Sequence, residues 1–173
     1  MRNTDVLRVK TLDSAIHFLR EPTDRYALVD RFYRSQGYKV KAASIETLFT
    51  LHHIGQSGDI DQSRDIKQSG AAEIIAASRL VPQSSGHYWL RNLLVAKDWR
   101  GKGLASSLMQ QLLPLLAPQG CYCFALPHLH EFYTRLGFNL EPEHCPDDIR
   151  QKHKQYRDRG RDWLLMGYRG LEP

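Results

Sequence analysis

Two glycines that flank a lysine form the segment of this sequence best suited to bind a phosphate group. Gly101 and Gly103 enclose Lys102, and glycine permits both a sharp turn and the close approach of backbone amides to a ligand. From Leu104 the apolar residues recur at helical spacing, which predicts that a helix begins there. Its unpaired N–H groups and positive dipole end would favour a phosphate or pyrophosphate. Taken alone, the segment is weak evidence for such a site and fits a tight turn before a core helix better.

Two common phosphate-binding motifs do not fit this segment. A Walker loop would need a glycine five residues before Gly101, and a serine or threonine in place of Gly103. A dinucleotide fingerprint would need a third glycine, which is absent. The strand, glycine loop and helix predicted over residues 93–108 therefore belong to another kind of site.

The segment resembles motif A of the GNAT superfamily of acyl-CoA N-acetyltransferases, whose pattern is Arg/Gln-x-x-Gly-x-Gly/Ala. Here it reads RGKGLA over residues 100–105, although Lys97 stands where the family often has a proline. The resemblance implies that acetyl-CoA binds as acyl donor, with the backbone of residues 93 and 95 on its pantetheine arm and the amides of residues 100–105 on its pyrophosphate. The implied cofactor-binding residues are Leu93, Leu94, Val95, Arg100, Gly101, Lys102, Gly103, Leu104, Ala105 and Ser106.

A second resemblance lies downstream, in FYTRLGF at residues 132–138, which looks like the end of the family's motif B. Two motifs in the correct order and spacing are more specific than either alone. Tyr133 matches the position where many members place a hydroxyl beside the coenzyme A sulfur, so the resemblance implies a general acid for the departing thiolate. Packing of Tyr133 in the core is the alternative, and the sequence leaves it open.

No residue is identified that would deprotonate the acceptor amine. Family members often carry a glutamate on the strand before motif A, but this chain has Arg91 and Asn92 there. Glu73, Glu46 or His87 acting through a water are alternatives, and so is an amine that arrives deprotonated. The expected reaction is direct acetyl transfer to a primary amine of a small molecule or a protein. The missing glutamate leaves a non-catalytic acyl-CoA-binding or sensing module as the alternative.

The resemblance implies an α+β (mixed α/β) fold, the GNAT fold, in which a mostly antiparallel sheet of about six to seven strands is flanked by helices. In that fold a splayed strand pair holds acyl-CoA. His52 and His53 close one predicted strand on opposite faces, and a surface position is expected for them. Periodicity predicts strands at 6–12, 47–54, 72–81, 87–96, 121–126 and 163–168, and helices at 13–19, 23–36, 104–113, 130–136 and 146–159.

Composition is that of a single domain over residues 1–173, since 42% hydrophobic residues can form one buried core. The net charge of +5 suits an anionic cofactor and nucleic acid equally well. An RNA-associated protein is the weaker alternative, because the basic residues of the tail helix are spaced around it, so nucleic acid is not expected as a partner. No apolar run reaches the ~18 residues of a membrane span, and the first residues lack a signal-peptide core. An odd number of cysteines fits a reducing compartment, so a cytoplasmic protein is expected.

No metal site is predicted. Cys121 and Cys123 would need a second pair to bind zinc, and His128 and His130 lack a third ligand. The polar loop over residues 55–70 has spaced aspartates but not the glycine and glutamate positions of an EF-hand loop. The acceptor amine cannot be identified from the sequence, and a homodimer is left open.

Overall fold

One sheet organises the chain. The computed structural model describes residues 15–55, 72–116 and 119–169, and within these ranges seven strands form a sheet of order β1-β2-β3-β4-β5-β7-β6. The strands are β1 (Ile16–Glu21), β2 (Thr47–His53), β3 (Glu73–Pro82), β4 (Tyr88–Val95), β5 (Cys121–Ala125), β6 (Asn139–Leu140) and β7 (Leu164–Tyr168). The α-helices are α1 (Tyr26–Ser35), α2 (Leu104–Leu112), α3 (His130–Arg135) and α4 (Asp147–Asp158). The pair β4 and β5 is parallel, and the other paired strands are antiparallel.

Helices cover both faces of the sheet. On one face α2 buries Leu104, Leu108 and Leu112, which its 3.6-residue period places on one side. On the other face α1 buries Val29 and Tyr33, and α4 buries Ile149 against a neighbouring apolar cluster. Adjacent strand residues divide between the two faces, because side chains alternate along a strand. The mixed sheet with flanking helices is the fold predicted from the sequence.

The first described strand corrects a prediction. Residues 16–21 form β1, so the helix predicted at 13–19 is wrong over its described part, and the strand predicted at 6–12 lies outside the described residues. β1 pairs with β2 along its whole length, and Phe18 stacks on Phe49 with ring centroids 5.5 Å apart. Pairing with a neighbouring strand outweighs a short helical pattern, because strand formation depends on tertiary context.

The other predicted elements are confirmed, with small shifts at their ends. The strands predicted at 47–54, 72–81, 87–96, 121–126 and 163–168 appear as β2, β3, β4, β5 and β7. The helix predicted from Thr23 begins at Tyr26, after a 3-10 turn over Thr23–Arg25. The short strand β6 was not predicted. None of the helices in the described ranges is long and apolar enough to cross a membrane.

A buried polar cluster joins β1 to β2. Glu21 is only 4% exposed, and its Oε1 accepts a hydrogen bond of 2.6 Å from the Thr50 hydroxyl. His52 Nε2 lies 2.6 Å from the same oxygen. His52 is itself buried, so the surface position expected for it is wrong, whereas His53 is partly exposed against Trp99. Burial acts to raise the pKa of Glu21, but the hydrogen bonds from His52 and Thr50 outweigh it and hold the pKa below its ordinary value.

This lowered pKa predicts a specific loss of stability in acid. The Glu21 carboxylate stabilises the fold above its ordinary pKa of 4.5, and that contribution disappears as the pH falls through the lower pKa of the folded state. The melting temperature of the wild type should therefore fall more steeply between about pH 5 and pH 3 than that of Glu21→Gln. Glu131→Gln is the matched control, because Glu131 pairs with Arg135 on the exposed surface of α3. Parallel slopes for the wild type and Glu21→Gln would contradict the prediction.

Candidate functional site

A cleft opens where β4 and β5 separate. The two parallel strands pair only at Tyr88 with Cys121, Trp89 with Tyr122 and Leu90 with Cys123. Beyond Leu90, β4 continues to Val95 with β3 on one side and no strand on the other among the described residues. The free edge of β4 therefore offers unpaired backbone groups to whatever enters the cleft.

A bulge in β4 accompanies this separation. Arg79 of β3 lies opposite Arg91, whereas Ala77 lies opposite Leu94, so β4 carries one residue more than β3 over this interval. Asn92 within the bulge has a left-handed φ of +52°, a conformation that asparagine tolerates better than most residues. A bulge bends the strand that carries it, and the pairing of β4 with β5 ends at Leu90, just before this bulge.

Side chains from two elements hold the bulge in place. The Tyr33 hydroxyl of α1 donates to the Asn92 carbonyl at 2.7 Å, and Arg79 Nη1 donates to Asn92 Oδ1 at 3.2 Å. Arg79 is in turn fixed by Glu46, since its Nε and Nη2 donate to the two carboxylate oxygens at 2.7 and 2.6 Å. This ion pair is buried, with 6% and 7% of the side chains exposed. The shape of the free edge therefore depends on a polar network inside the protein.

The three side chains considered as bases do not line the cleft. Both oxygens of Glu46 bind Arg79. Glu73 is exposed and borders a separate groove beside α1. His87 is half-buried in the turn before β4, where its Nδ1 lies 3.2 Å from the Ser85 carbonyl. The described lining of the cleft contains no carboxylate.

The glycine loop follows the free edge directly. Gly101 and Gly103 adopt left-handed φ values of +75° and +74°, which explains why glycine occupies both positions. The N–H groups of residues 101–106 make no hydrogen bond to any described residue, and the first bond at the start of α2 runs from the Ser107 N–H to the Gly103 carbonyl. A Cβ atom at Gly101 or Gly103 would meet no atom within 4 Å. Free amides thus surround open space at a helix N-terminus, which is the arrangement that binds phosphates.

Side chains fasten the loop and add positive charge. Arg100 Nε donates to the Val95 carbonyl at 3.1 Å, which ties the loop to the end of β4. Lys102 Nζ lies 4.5 Å from the ring centroid of Trp99, at the exposed surface of the loop. The Ser106 hydroxyl makes no hydrogen bond to the described residues and is free for a ligand.

The cleft passes between the two faces of the sheet and has a volume of about 260 Å³. Its wall on the α2 side includes Leu90, Cys123, Ala125, Leu129 and Tyr133, and its wall on the α1 and α4 side includes Tyr33, Tyr38, Trp89, Arg91, Phe124 and Trp163. Leu93 and Leu94 lie along the cleft on β4. The structure thus brings Leu93, Leu94 and Tyr133 together and places the loop of residues 100–106 just beyond them.

The backbone of Val95 also faces the open side. The Ala96 N–H donates to the Ile75 carbonyl of β3 at 2.8 Å. Because bonded and non-bonded pairs alternate along an antiparallel ladder, the groups of the preceding residue, Val95, point away from β3. Its carbonyl accepts from Arg100, which leaves its N–H for a ligand.

Tyr133 is buried, but its hydroxyl has no hydrogen-bond partner among the described residues. Its side chain is 7% exposed and packs against Phe132 and Phe138 with ring centroids 5.0 and 5.3 Å away. Its hydroxyl makes no hydrogen bond to a described residue, although the ring lines the cleft. Burial raises the pKa of Tyr133 above its ordinary value, and the neighbouring Cys123 and Cys121 act in the same direction. The hydroxyl therefore stays protonated and is available as a donor.

Several cleft residues were not predicted from the sequence. Tyr38, Phe124 and Trp163 come from three distant parts of the chain, and no motif connects them. Their only signal is aromatic character, which does not distinguish a cleft from a core. No three His, Cys, Asp or Glu side chains of the described residues lie close enough together to hold a metal, and the aspartates of loop 55–70 lie outside those residues.

Comparison with known proteins relates part of the chain to a known family. Residues 65–138 match the family described as the acetyltransferase (GNAT) family. No curated protein matches the sequence. The mixed sheet is that of the GNAT fold, and the matched part of the chain, residues 65–138, is similar to the acetyltransferases of that family.

Solved structures share this fold at low sequence identity. N-acetylglutamate synthase from Neisseria gonorrhoeae, complexed with coenzyme A and N-acetyl-glutamate, is 13% identical with a TM-score of 0.58. The match covers 92% of this chain but only 36% of that one. ElaA from Escherichia coli is 15% identical with a TM-score of 0.53, covering 88% of this chain and 98% of that one. NAA60 from Arabidopsis thaliana, in complex with acetyl-CoA, is 14% identical with a TM-score of 0.53, covering 88% and 97%.

Proposed function

We propose that this protein transfers an acetyl group directly from acetyl-CoA to a primary amine while both are bound. The observation that carries the proposal is the continuity of three features: the free edge of β4, the cleft beside it and the loop of unpaired amides at its end. Each suits one part of the donor. The amides of residues 101–106 bind the pyrophosphate, the edge of β4 binds the pantetheine arm, and the thioester lies in the cleft.

The residues of the cleft suit acyl transfer. A backbone N–H of the β4 edge, from Leu93 or Val95, polarises the thioester carbonyl. The amine nitrogen forms a bond to the carbonyl carbon, the carbon–sulfur bond breaks, and the thiolate receives a proton from Tyr133. The proton that the nitrogen loses on becoming an amide passes to water, and Tyr133 regains its own proton from water. Tyr133 suits this role because it is protonated, lines the cleft and has no other described partner.

The acceptor amine loses its own proton without help from a side chain of the described lining. The cleft wall contains no carboxylate or histidine, so the neutral amine is the form that reacts. Turnover should therefore rise with pH until the amine of the acceptor is deprotonated. Since burial raises the pKa of Tyr133, loss of its proton should not reduce turnover below about pH 10. Rates measured with two amines of different pKa test this, because the rising limb should move with the amine.

Calorimetry and thiol release together test the proposal. Titration with acetyl-CoA should show saturable binding, and a panel of primary amines should include some that release free coenzyme A at rates above hydrolysis. Binding without release for every amine would support a non-catalytic acyl-CoA-binding module, which the lack of a lining carboxylate favours. Absence of binding would contradict both functions.

A further inference from the structure

One guanidinium supplies the only charge among the cleft-lining residues that the structure describes. Of the described residues that line the cleft, Arg91 alone carries a charge at neutral pH, and the other lining side chains are uncharged. Arg91 lies on the α1 and α4 side, opposite the wall that contains Tyr133. In the proposed function the coenzyme sulfur lies beside Tyr133, so the acceptor amine approaches from the opposite wall. Arg91 therefore meets the acceptor rather than the coenzyme.

Arg91 has no anionic partner. It makes no hydrogen bond and no ion pair with any described residue, although it is half-buried on β4. Its cross-strand neighbour is another arginine, Arg79, which already occupies both oxygens of Glu46. Burial is the largest influence on the pKa of Arg91 and lowers it; Tyr156 acts next and raises it, Arg79 lowers it by less, and Glu46 raises it by the least. Arg91 nevertheless stays protonated, as arginine does in proteins.

The position of Arg91 leaves its donors available. Its guanidinium carbon lies 4.1 Å from the ring centroid of Trp89, so the planar group is held against the indole. Stacking of this kind uses the face of a guanidinium, whereas its N–H donors point outward along the edge. A carboxylate could therefore bind the edge through two parallel hydrogen bonds without displacing Trp89. The guanidinium of Arg91 is therefore held in place and available for an ion pair with a carboxylate.

We infer that the acceptor is a carboxylic acid that carries its primary amine close to the carboxylate, as an amino acid does, with Arg91 binding the carboxylate. This inference rests on the proposed function and deepens it. The aromatic wall of Tyr38, Phe124 and Trp163 adds that the acceptor has an apolar or aromatic body. A phosphate fits less well because a dianion would face one cation only. Polyamines are disfavoured as acceptors. Their second ammonium group would find no carboxylate in the described lining and would be repelled by Arg91.

Matched pairs of acceptors test the inference. Phenylalanine and leucine would be compared with their amides, which keep the amine and the side chain but lose the carboxylate. In the wild type kcat/KM, measured at a pH above the amine pKa of both compounds, should be higher for the acids. In Arg91→Gln the ratio of acid to amide should fall about tenfold or more through a rise in KM for the acid, and the amide should change little. Comparing ratios removes the difference in amine pKa between acid and amide.

Lys152→Gln is the matched control. Lys152 Nζ lies 5.0 Å from the same Trp89 ring, but it donates to Gln83 and does not line the cleft. Its replacement should leave the ratio unchanged. Acetyl-CoA affinity should be the same in both variants and the wild type, which shows that the folds and the coenzyme sites are intact.

A binding measurement separates this inference from the proposed transfer. Calorimetric titration of the coenzyme A complex with each acid and its amide reports carboxylate recognition without turnover. Tighter binding of the acids, lost in Arg91→Gln, would support the inference even if no coenzyme A were released, and only the transfer would then fail. Equal binding of acids and amides, or a loss that affects both alike in Arg91→Gln, would overturn the inference even if amines were acetylated.

Discussion

Replacing Gly103 with glutamate is expected to weaken acetyl-CoA binding by about 100-fold or more. Gly103 lies among the free amides of the loop, and a side chain there would extend into the open space that they surround. At an effective dielectric constant of about 20, a carboxylate about 4 Å from a phosphate charge costs roughly 4 kcal/mol, and about 1.4 kcal/mol corresponds to a tenfold change in affinity. Calorimetric titration with acetyl-CoA measures the loss.

Two further variants separate charge from backbone strain. A side chain at the left-handed φ of Gly103 costs about 1–2 kcal/mol by itself, so Gly103→Ala should weaken binding or stability only modestly. Gly86→Glu is the matched control, because Gly86 has a similar φ of +82° and equally open surroundings in the turn between β3 and β4. That turn lies at the opposite end of β4 from the loop. Unchanged affinity in Gly103→Glu would mean that the loop does not hold the pyrophosphate.

Replacing Tyr133 with phenylalanine is expected to reduce kcat by about 100-fold while the dissociation constant of acetyl-CoA stays the same. Loss of a positioned proton donor costs about 10²–10⁴ in rate. The hydroxyl makes no hydrogen bond with the described residues, so its removal leaves no partner unsatisfied and should not destabilise the fold. Steady-state thiol release with a saturating amine, together with calorimetry, distinguishes the two effects.

Tyr122→Phe is the control for Tyr133→Phe. The Tyr122 hydroxyl donates to the His144 carbonyl at 2.7 Å and does not line the cleft. Its removal should lower stability by about 1 kcal/mol and leave kcat unchanged. If Tyr133→Phe retained full turnover, Tyr133 would be a packing residue, and the thiolate would have to take its proton from water.

The proposed coenzyme side of the site could be described from sequence because its segments are local. The end of β4, the glycine loop and the start of α2 are continuous in the chain, so their spacing alone places unpaired amides next to a strand end. Tyr133 was named only because FYTRLGF resembles the end of the family's motif B, and its role as an acid stays a prediction. The sequence indicates a sharp turn at Gly101 and Gly103, and both residues have the left-handed φ values that glycine adopts most readily.

The acceptor side could not be predicted because it is assembled by topology. Arg91 and Trp163 lie far apart in sequence, and they share one wall because β7 pairs with β5 beside the open edge of β4. The burial of Glu21 and His52 was missed for the same reason. The sequence around Glu21 does not show that Thr50 and His52 of the neighbouring strand will bind its carboxylate. In addition, β1 itself was predicted to be a helix.

The cysteines of this chain are hidden from reagents that attack sulfur. Cys121, Cys123 and Cys145 are 0%, 2% and 8% exposed, and burial raises the pKa of each thiol, so little of the reactive thiolate forms. A chromogenic disulfide added to the folded protein should therefore report only the coenzyme that turnover liberates, without a background from the protein. In denaturant the same reagent should count three sulfhydryls, which gives a colorimetric measure of unfolding for every variant above.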